Sequence, residues 1–131
     1  MPERVTIIWN RPALYTLLHS PNGDLGRYLH RRGVMMRAVA TAKVGKSTGM
    51  LARSIYLEQE ATKTGQKMVL GASSRHALLH HEGTRPHIIR ARGNGTLRFA
   101  SAGRVVYSRQ VMHPGTKPNR FLSSTLPMIL L

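Results

Sequence analysis

The chain of 131 residues contains no cysteine. That excludes a disulfide framework and any thiolate metal site. Carboxylates are nearly as scarce: five Asp plus Glu stand against twenty Lys plus Arg, a formal charge of +15. So few acids leave little for paired acid–base catalysis beyond Glu58 with Glu60, or Glu82. Aromatic residues make up 5% of the chain. They are too few to interleave with cations as stacking platforms for a single strand. No apolar run is long enough to span a bilayer, so no membrane partner is expected, and the start lacks a secretory signal pattern.

What is abundant is arginine. A charge this large on a short chain favours contact with a polyanion such as DNA, RNA or an acidic protein, and says nothing about fold. The length fits one domain, able to bury roughly two-thirds of its unfolded surface.

Local patterns outline an α+β chain. Val5 to Trp9 is apolar and β-branched, which predicts a short strand. Asn10-Arg11-Pro12 breaks it, and Ala13 to Leu18 reads as one or two helical turns. Ser20 is placed to cap a helix with Pro21 in its first turn and Asp24 near its positive end. That helix should run to about Val44, with Leu25, Tyr28, Leu29, Met36, Val39 and Ala40 on one face and Met35 beside Met36 as core filler. Gly33 should weaken its middle. Ser54 to Glu60 alternates, with Ile55, Leu57 and Gln59 inward. Lys63-Thr64-Gly65 turns it, and Lys67 to Gly71 returns with Met68 and Leu70 inward, which makes a hairpin. Further on, His87 to Arg92, Thr96 to Ser101 and Arg104 to Gln110 read as a three-stranded meander. Leu97, Phe99, Val105 and Tyr107 are its expected inward side chains. The loop His113 to Pro118 is irregular, and Phe121 to Leu131 begins as a helix that Pro127 limits. The apolar end from Met128 to Leu131 calls for a partner in its own domain or in a neighbouring subunit.

His76 to Thr84 is the first place to look for chemistry. It holds three of seven histidines on a short helical turn, with Leu78 and Leu79 as expected anchors. Gly83 suits the position past a helix end, and Pro86 prevents return to helix. His76 and His80 would share a face, with Glu82 close and His81 able to swing in, so a divalent cation is one conceivable ligand. The zincin pattern would need glutamate after the first histidine, and Ala77 stands there. Gly45-Lys46-Ser47-Thr48 resembles the end of a phosphate loop, but the glycine required five residues before Gly45 is Ala40, within a helix. No serine sits in a strained Gly-x-Ser-x-Gly turn. The expectation is no enzyme, no metal and no cofactor. Arg90, Arg92, Arg98, Arg104 and Arg109 punctuate the meander, where they could follow phosphates or an acidic partner without reading sequence.

The order of short motifs carries a resemblance. Thr48-Gly49-Met50-Leu51-Ala52-Arg53-Ser54-Ile55 precedes the hairpin, Glu82-Gly83-Thr84 ends the central turn, and His113-Pro114-Gly115-Thr116-Lys117-Pro118-Asn119-Arg120-Phe121-Leu122 precedes the last helix. From about Ser20 to Leu126 this resembles the neck, or tail-completion, proteins of long-tailed bacteriophages. Their pattern is Thr-Gly-x-Leu-x-x-Ser-Ile, then an aromatic-rich turn ending Glu-x-Gly-Thr or Glu-Gly-Thr, then Pro-x-x-Phe-Leu. His76 stands where the family often has tyrosine, and the arginine-rich region resembles versions from phages of actinobacteria.

The resemblance implies a single domain over 1–131, with 113–131 as a C-terminal loop and short arm. It implies an α+β fold in which one long helix lies across an antiparallel sheet made of the hairpin and the meander, followed by a short C-terminal helix. It implies a virion protein, assembled in the host cytoplasm, that forms a homo-oligomeric ring at the head–tail junction. Six-fold symmetry is favoured and twelve-fold is the alternative. The ring would complete the tail and meet neighbouring neck, connector, tail-terminator and tail-tube proteins, with non-specific contact to packaged DNA. Glu82, Gly83, Thr84, His113, Pro114, Gly115, Pro118, Phe121 and Leu122 would then serve subunit interfaces. Two other classes compete: a basic, non-specific nucleic-acid-binding module, and a metal-dependent hydrolase centred on His76, His80 and Glu82.

Overall fold

A computed structural model describes residues 4–45 and 48–130. The chain is mixed α+β, with a long helix, antiparallel two-stranded sheets and a short C-terminal 3-10 helix. It divides into two compact units, one of residues 1–75 with 121–131, the other of residues 76–120. Lys46 and Ser47 of the phosphate-loop-like stretch lie outside the described residues, as does Leu131.

In the first unit, residues 4–10 form no strand; they run without regular structure into α1 (Arg11–His19). The Asn10 side chain caps α1 by accepting from the Ala13 amide at 3.1 Å. Ser20 does not cap the next helix, because that helix begins at Asp24 with Gly23 in the cap position; Ser20 instead closes α1, its amide donating to Thr16 O at 3.1 Å. The next helix, α2 (Asp24–Lys43), starts after Gly23 with no side-chain cap and ends at Val44, where the periodicity stops. Its buried stripe is Gly26, Gly33, Met36 and Ala40, continued by Val44. Met35 is half exposed, because successive helical residues point about 100° apart and only one of the pair can face the core.

The glycines of the stripe are contact points. A Cβ on Gly33 would lie 2.8 Å from Leu57 Cδ1 and 3.1 Å from Met68 Cγ. Gly33 is therefore a point where α2 lies close against the hairpin. Gly33→Val should destabilise by about 1–3 kcal/mol through overpacking. Gly33→Ala should stay within about 1 kcal/mol, because improved helix propensity offsets the push on two flexible side-chain ends. Urea denaturation of both variants checks this. Equal losses would mean that the crossing has no room even for a methyl group.

The hairpin is β1 (Ile55–Thr62) with β2 (Gly65–Ala72), antiparallel, with Lys63-Thr64 as its turn. The register sets Leu57 opposite Leu70 and Gln59 opposite Met68, so these side chains share the face expected for them. On the other face Glu60 pairs with Lys67 at 3.1 Å, and the Tyr56 ring lies over Gly71. The Thr-Gly-x-Leu-x-x-Ser-Ile segment has a local explanation. Gly49 takes φ +74° before the single turn α3 (Met50–Arg53), Ser54 Oγ donates to Leu51 O at 2.7 Å, and Ile55 is fully buried. The C-terminal 3-10 helix (Ser123–Ile129) packs on α2. Tyr28 OH donates to Ile129 O at 2.7 Å, and Lys43 Nζ to Ser124 Oγ at 2.9 Å.

The second unit comprises α4 (Ala77–Glu82), β3 (His87–Arg90), β4 (Leu97–Ser101), β5 (Arg104–Ser108) and β6 (Gln110–His113). In α4 the buried residue is Ala77, while Leu78 and Leu79 are exposed, not anchors. The strands do not form a meander. β4 pairs with β5 and β3 pairs with β6, each pair antiparallel, so no strand has two partners. Gly93 does turn the chain, but β3 is already taken: Ala91 N donates to Arg109 O at 2.9 Å. The expected last strand thus ends at Ser108, and a separate strand, not expected from the sequence, begins at Gln110 and reaches His113. Its parity also differs from expectation. Ala102 and Gly103, both with positive φ, fix Ser101 opposite Arg104, which puts Phe99 opposite Val106. Val106 and Ser108 therefore share the face of Leu97 and Phe99, and Val105 and Tyr107 turn outward.

Candidate functional site

The Glu-Gly-Thr and His-Pro-Gly-Thr-Lys-Pro motifs lie far apart in sequence and meet in the second unit. Thr84 and Thr116 exchange both backbone hydrogen bonds, at 3.1 and 3.0 Å, and their hydroxyls are 3.1 Å apart. Two glycines make the approach possible. Gly83 has φ +76°, and a Cβ there would sit 2.5 Å from Thr116 O and 2.8 Å from Pro118 N. Gly115 has φ +84°, and its Cβ would run into Thr84 O. Both faults are with backbone atoms, which cannot rotate away. These motif glycines thus hold two loops of one chain together.

Side chains extend the clasp at both ends. His113 Nδ1 accepts from the Gly115 amide at 3.0 Å, and its ring lies 5.1 Å from that of His87, its cross-strand neighbour. The Asn119 amide donates to His80 O at 3.1 Å, and its side-chain nitrogen lies 3.1 Å from His80 Nε2. Glu82 faces His81 Nδ1 at 2.6 Å and the Arg120 guanidinium at 4.0 Å. The roles of His80, Asn119 and Arg120 had no local signature, since their partners are about forty residues away along the chain. Of the histidines that suggested a cation, His80 and His81 are engaged inside this clasp. Among the described residues no group of three or more His, Asp or Glu is placed to hold a metal ion.

The remaining motif residues lie elsewhere. Pro114 borders an apolar pocket of about 350 Å³ whose walls include Ile89, Leu97, Phe99 and Val111. Phe121 is completely buried within its own chain, so its side chain offers nothing to a neighbour. Leu122 is half-buried and its carbonyl accepts from the Thr125 hydroxyl at 2.6 Å.

The arginines expected to meet a polyanion are all exposed. Arg90 is on β3, Arg92 in the turn after it, Arg98 on β4 opposite Tyr107, Arg104 at the start of β5, and Arg109 between β5 and β6. After Glu82 the sequence contains no carboxylate side chain at all. Residues 83–120 therefore carry basic but no acidic side chains, and Glu82, 4.0 Å from Arg120, is the one carboxylate side chain of the second unit.

Apolar surface is the other feature. Among the described residues six hydrophobic side chains are buried, against twenty large ones that are exposed. Exposure on that scale marks surface to be covered. No protein-family model, curated protein or solved structure matches this chain.

Proposed function

We propose that the chain is a non-enzymatic structural subunit of a bacteriophage neck, forming a ring at the head–tail junction that completes the tail and joins it to the DNA-filled head. The observation that carries this reading is the clasp. Two motifs on which the resemblance to tail-completion proteins rests, Glu82-Gly83-Thr84 and His113 to Pro118, are complementary parts of one substructure. The excess of exposed over buried apolar side chains supports an assembling role. So does the packing of α2 on antiparallel strands, although these are the hairpin alone and not the single sheet of hairpin and meander that the resemblance implies.

Exposed Leu126 and Leu130 are then candidate contacts for a neighbour. The double variant Leu126→Asp, Leu130→Asp should keep the circular dichroism of the wild type and lose ring formation, read by light scattering and electron microscopy. A wild-type chain that stays monomeric both alone and with neighbouring head and tail proteins would overturn the proposal.

A second reading, a basic nucleic-acid-binding module, is favoured by the acid-free arginine ribbon. Each phosphate neutralised adds about −0.9 to the slope of log K against log salt. If all five ribbon arginines contact duplex DNA, the slope should be about −4 to −5. Reversal of Arg90, Arg92 and Arg98 to glutamate should then abolish measurable binding in fluorescence anisotropy. Binding that persists in this variant would remove the ribbon from the DNA contact.

A further inference from the structure

Residues 4–10 combine a strand-like sequence with no strand partner among the described residues. Val5, Thr6, Ile7, Ile8 and Trp9 are β-branched or aromatic, and relative exposures of 87% for Val5, 74% for Ile7, 88% for Ile8 and 70% for Trp9 leave the segment uncovered. Beyond it, α1 leaves Leu14, Tyr15 and Leu17 exposed, and Trp9 shares an open groove with Ala13, Leu14 and Leu17. The sequence encodes a strand for which the described residues of its own chain provide no ladder.

We propose that this segment adds as a strand to the free edge of β1 in a second copy of the chain. Among the described residues neither edge of the β1–β2 hairpin has a further strand, and open edges are templates for such pairing. Three observations select β1. The end of β2 is occupied by α1: the Gln66 side-chain amide donates to His19 O, and Gly65 packs against Leu18 O. The edges of β3 to β6 belong to the arginine ribbon and would repel Arg4 and Arg11. β1, by contrast, carries Glu58 and Glu60, two of the five carboxylates of the chain.

The alternation also matches. In an extended strand Val5, Ile7 and Trp9 lie on one face and Arg4, Thr6, Ile8 and Asn10 on the other. Setting the first face level with Ile55 and Leu57 extends the apolar side of the hairpin. It also puts Arg4 on the side of Glu58 and Glu60. The arm and the β1 edge are different patches of the same chain, so copies joined head-to-tail close into a ring when the rotation per subunit allows, and two copies that exchange arms close as a dimer.

The inference shares self-association with the ring reading but places it on a segment that reading does not need. Its test is mass in solution, by light scattering on the full chain. The wild type should give a multiple of 14.6 kDa. Ile7→Pro removes a backbone donor from the arm at an exposed position, so it should give a folded 14.6 kDa monomer. Glu58→Arg should weaken association about tenfold, and adding Arg4→Glu should restore it. A wild type that is monomeric without other proteins, or an oligomer unchanged by Ile7→Pro, overturns the arm. A ring that survives Ile7→Pro and is lost in the Leu126→Asp, Leu130→Asp variant would overturn the arm and leave the neck reading standing. A charge swap that fails to recover association would overturn the choice of β1.

Discussion

Phe121→Ala should cost about 3–5 kcal/mol of stability. Among the described residues Phe121 is the largest fully buried side chain, and it sits just before the C-terminal 3-10 helix, close in sequence to the fully buried Thr125. Truncation to alanine removes the transfer energy of the ring and leaves a cavity, which packed neighbours can fill only in part. Domains of this size hold about 5–15 kcal/mol in total, so a large fraction of the stability should go. Thermal and urea denaturation followed by circular dichroism would measure it, and Phe121→Leu should recover more than half of the loss. A change below about 1 kcal/mol would mean that the site collapses freely and the residue is not structural. Loss of assembly in Phe121→Ala would not locate an interface, because the subunit itself is weakened.

Gly115→Ala should open the clasp at a cost of about 2–4 kcal/mol. Part of this is the positive φ of +84°, which an L side chain tolerates poorly. The rest is collision with Thr84 O and an approach of 2.9 Å to Arg85 C, where no rotamer change gives relief. The Thr84 and Thr116 amides should lose protection in hydrogen exchange, while the amides of α2, in the other unit, keep theirs. Gly103→Ala is the control. Its φ is +74°, yet nothing lies within 4 Å of the new Cβ, so only about 1 kcal/mol of backbone strain is expected. If the two variants lose the same stability, the close approach at Gly115 contributes nothing.

The candidate site was legible in part. Gly83 could be assigned a positive φ from its place after a helical turn, and the motif order marked the loops that meet. That Thr84 would bond Thr116, that Asn119 would meet His80, and that Phe121 would face its own core had no local sign. Arginine exposure was legible because an unpaired charge is kept in water. The division of the arginines between two separate strand pairs became clear only once β3 was seen to pair with β6 and β4 with β5.

The sequence by itself determined what neighbours along the chain decide. Periodicity set α2 and its end at Val44. Alternation and the Lys63-Thr64 turn set the β1–β2 hairpin and its inward face. Extreme positive charge, the lack of thiols and the scarcity of acids narrowed the chemistry. Only the tertiary structure decided which strand pairs with which, because a strand end offers the same amides and carbonyls to any partner. It therefore withheld a partner from Val5 to Trp9 and gave β3 to β6. Through the Ala102-Gly103 turn it moved Val106 to the inner face in place of Val105 and Tyr107. It also made Gly33 a crossing point, because the value of a missing side chain depends on what arrives opposite it.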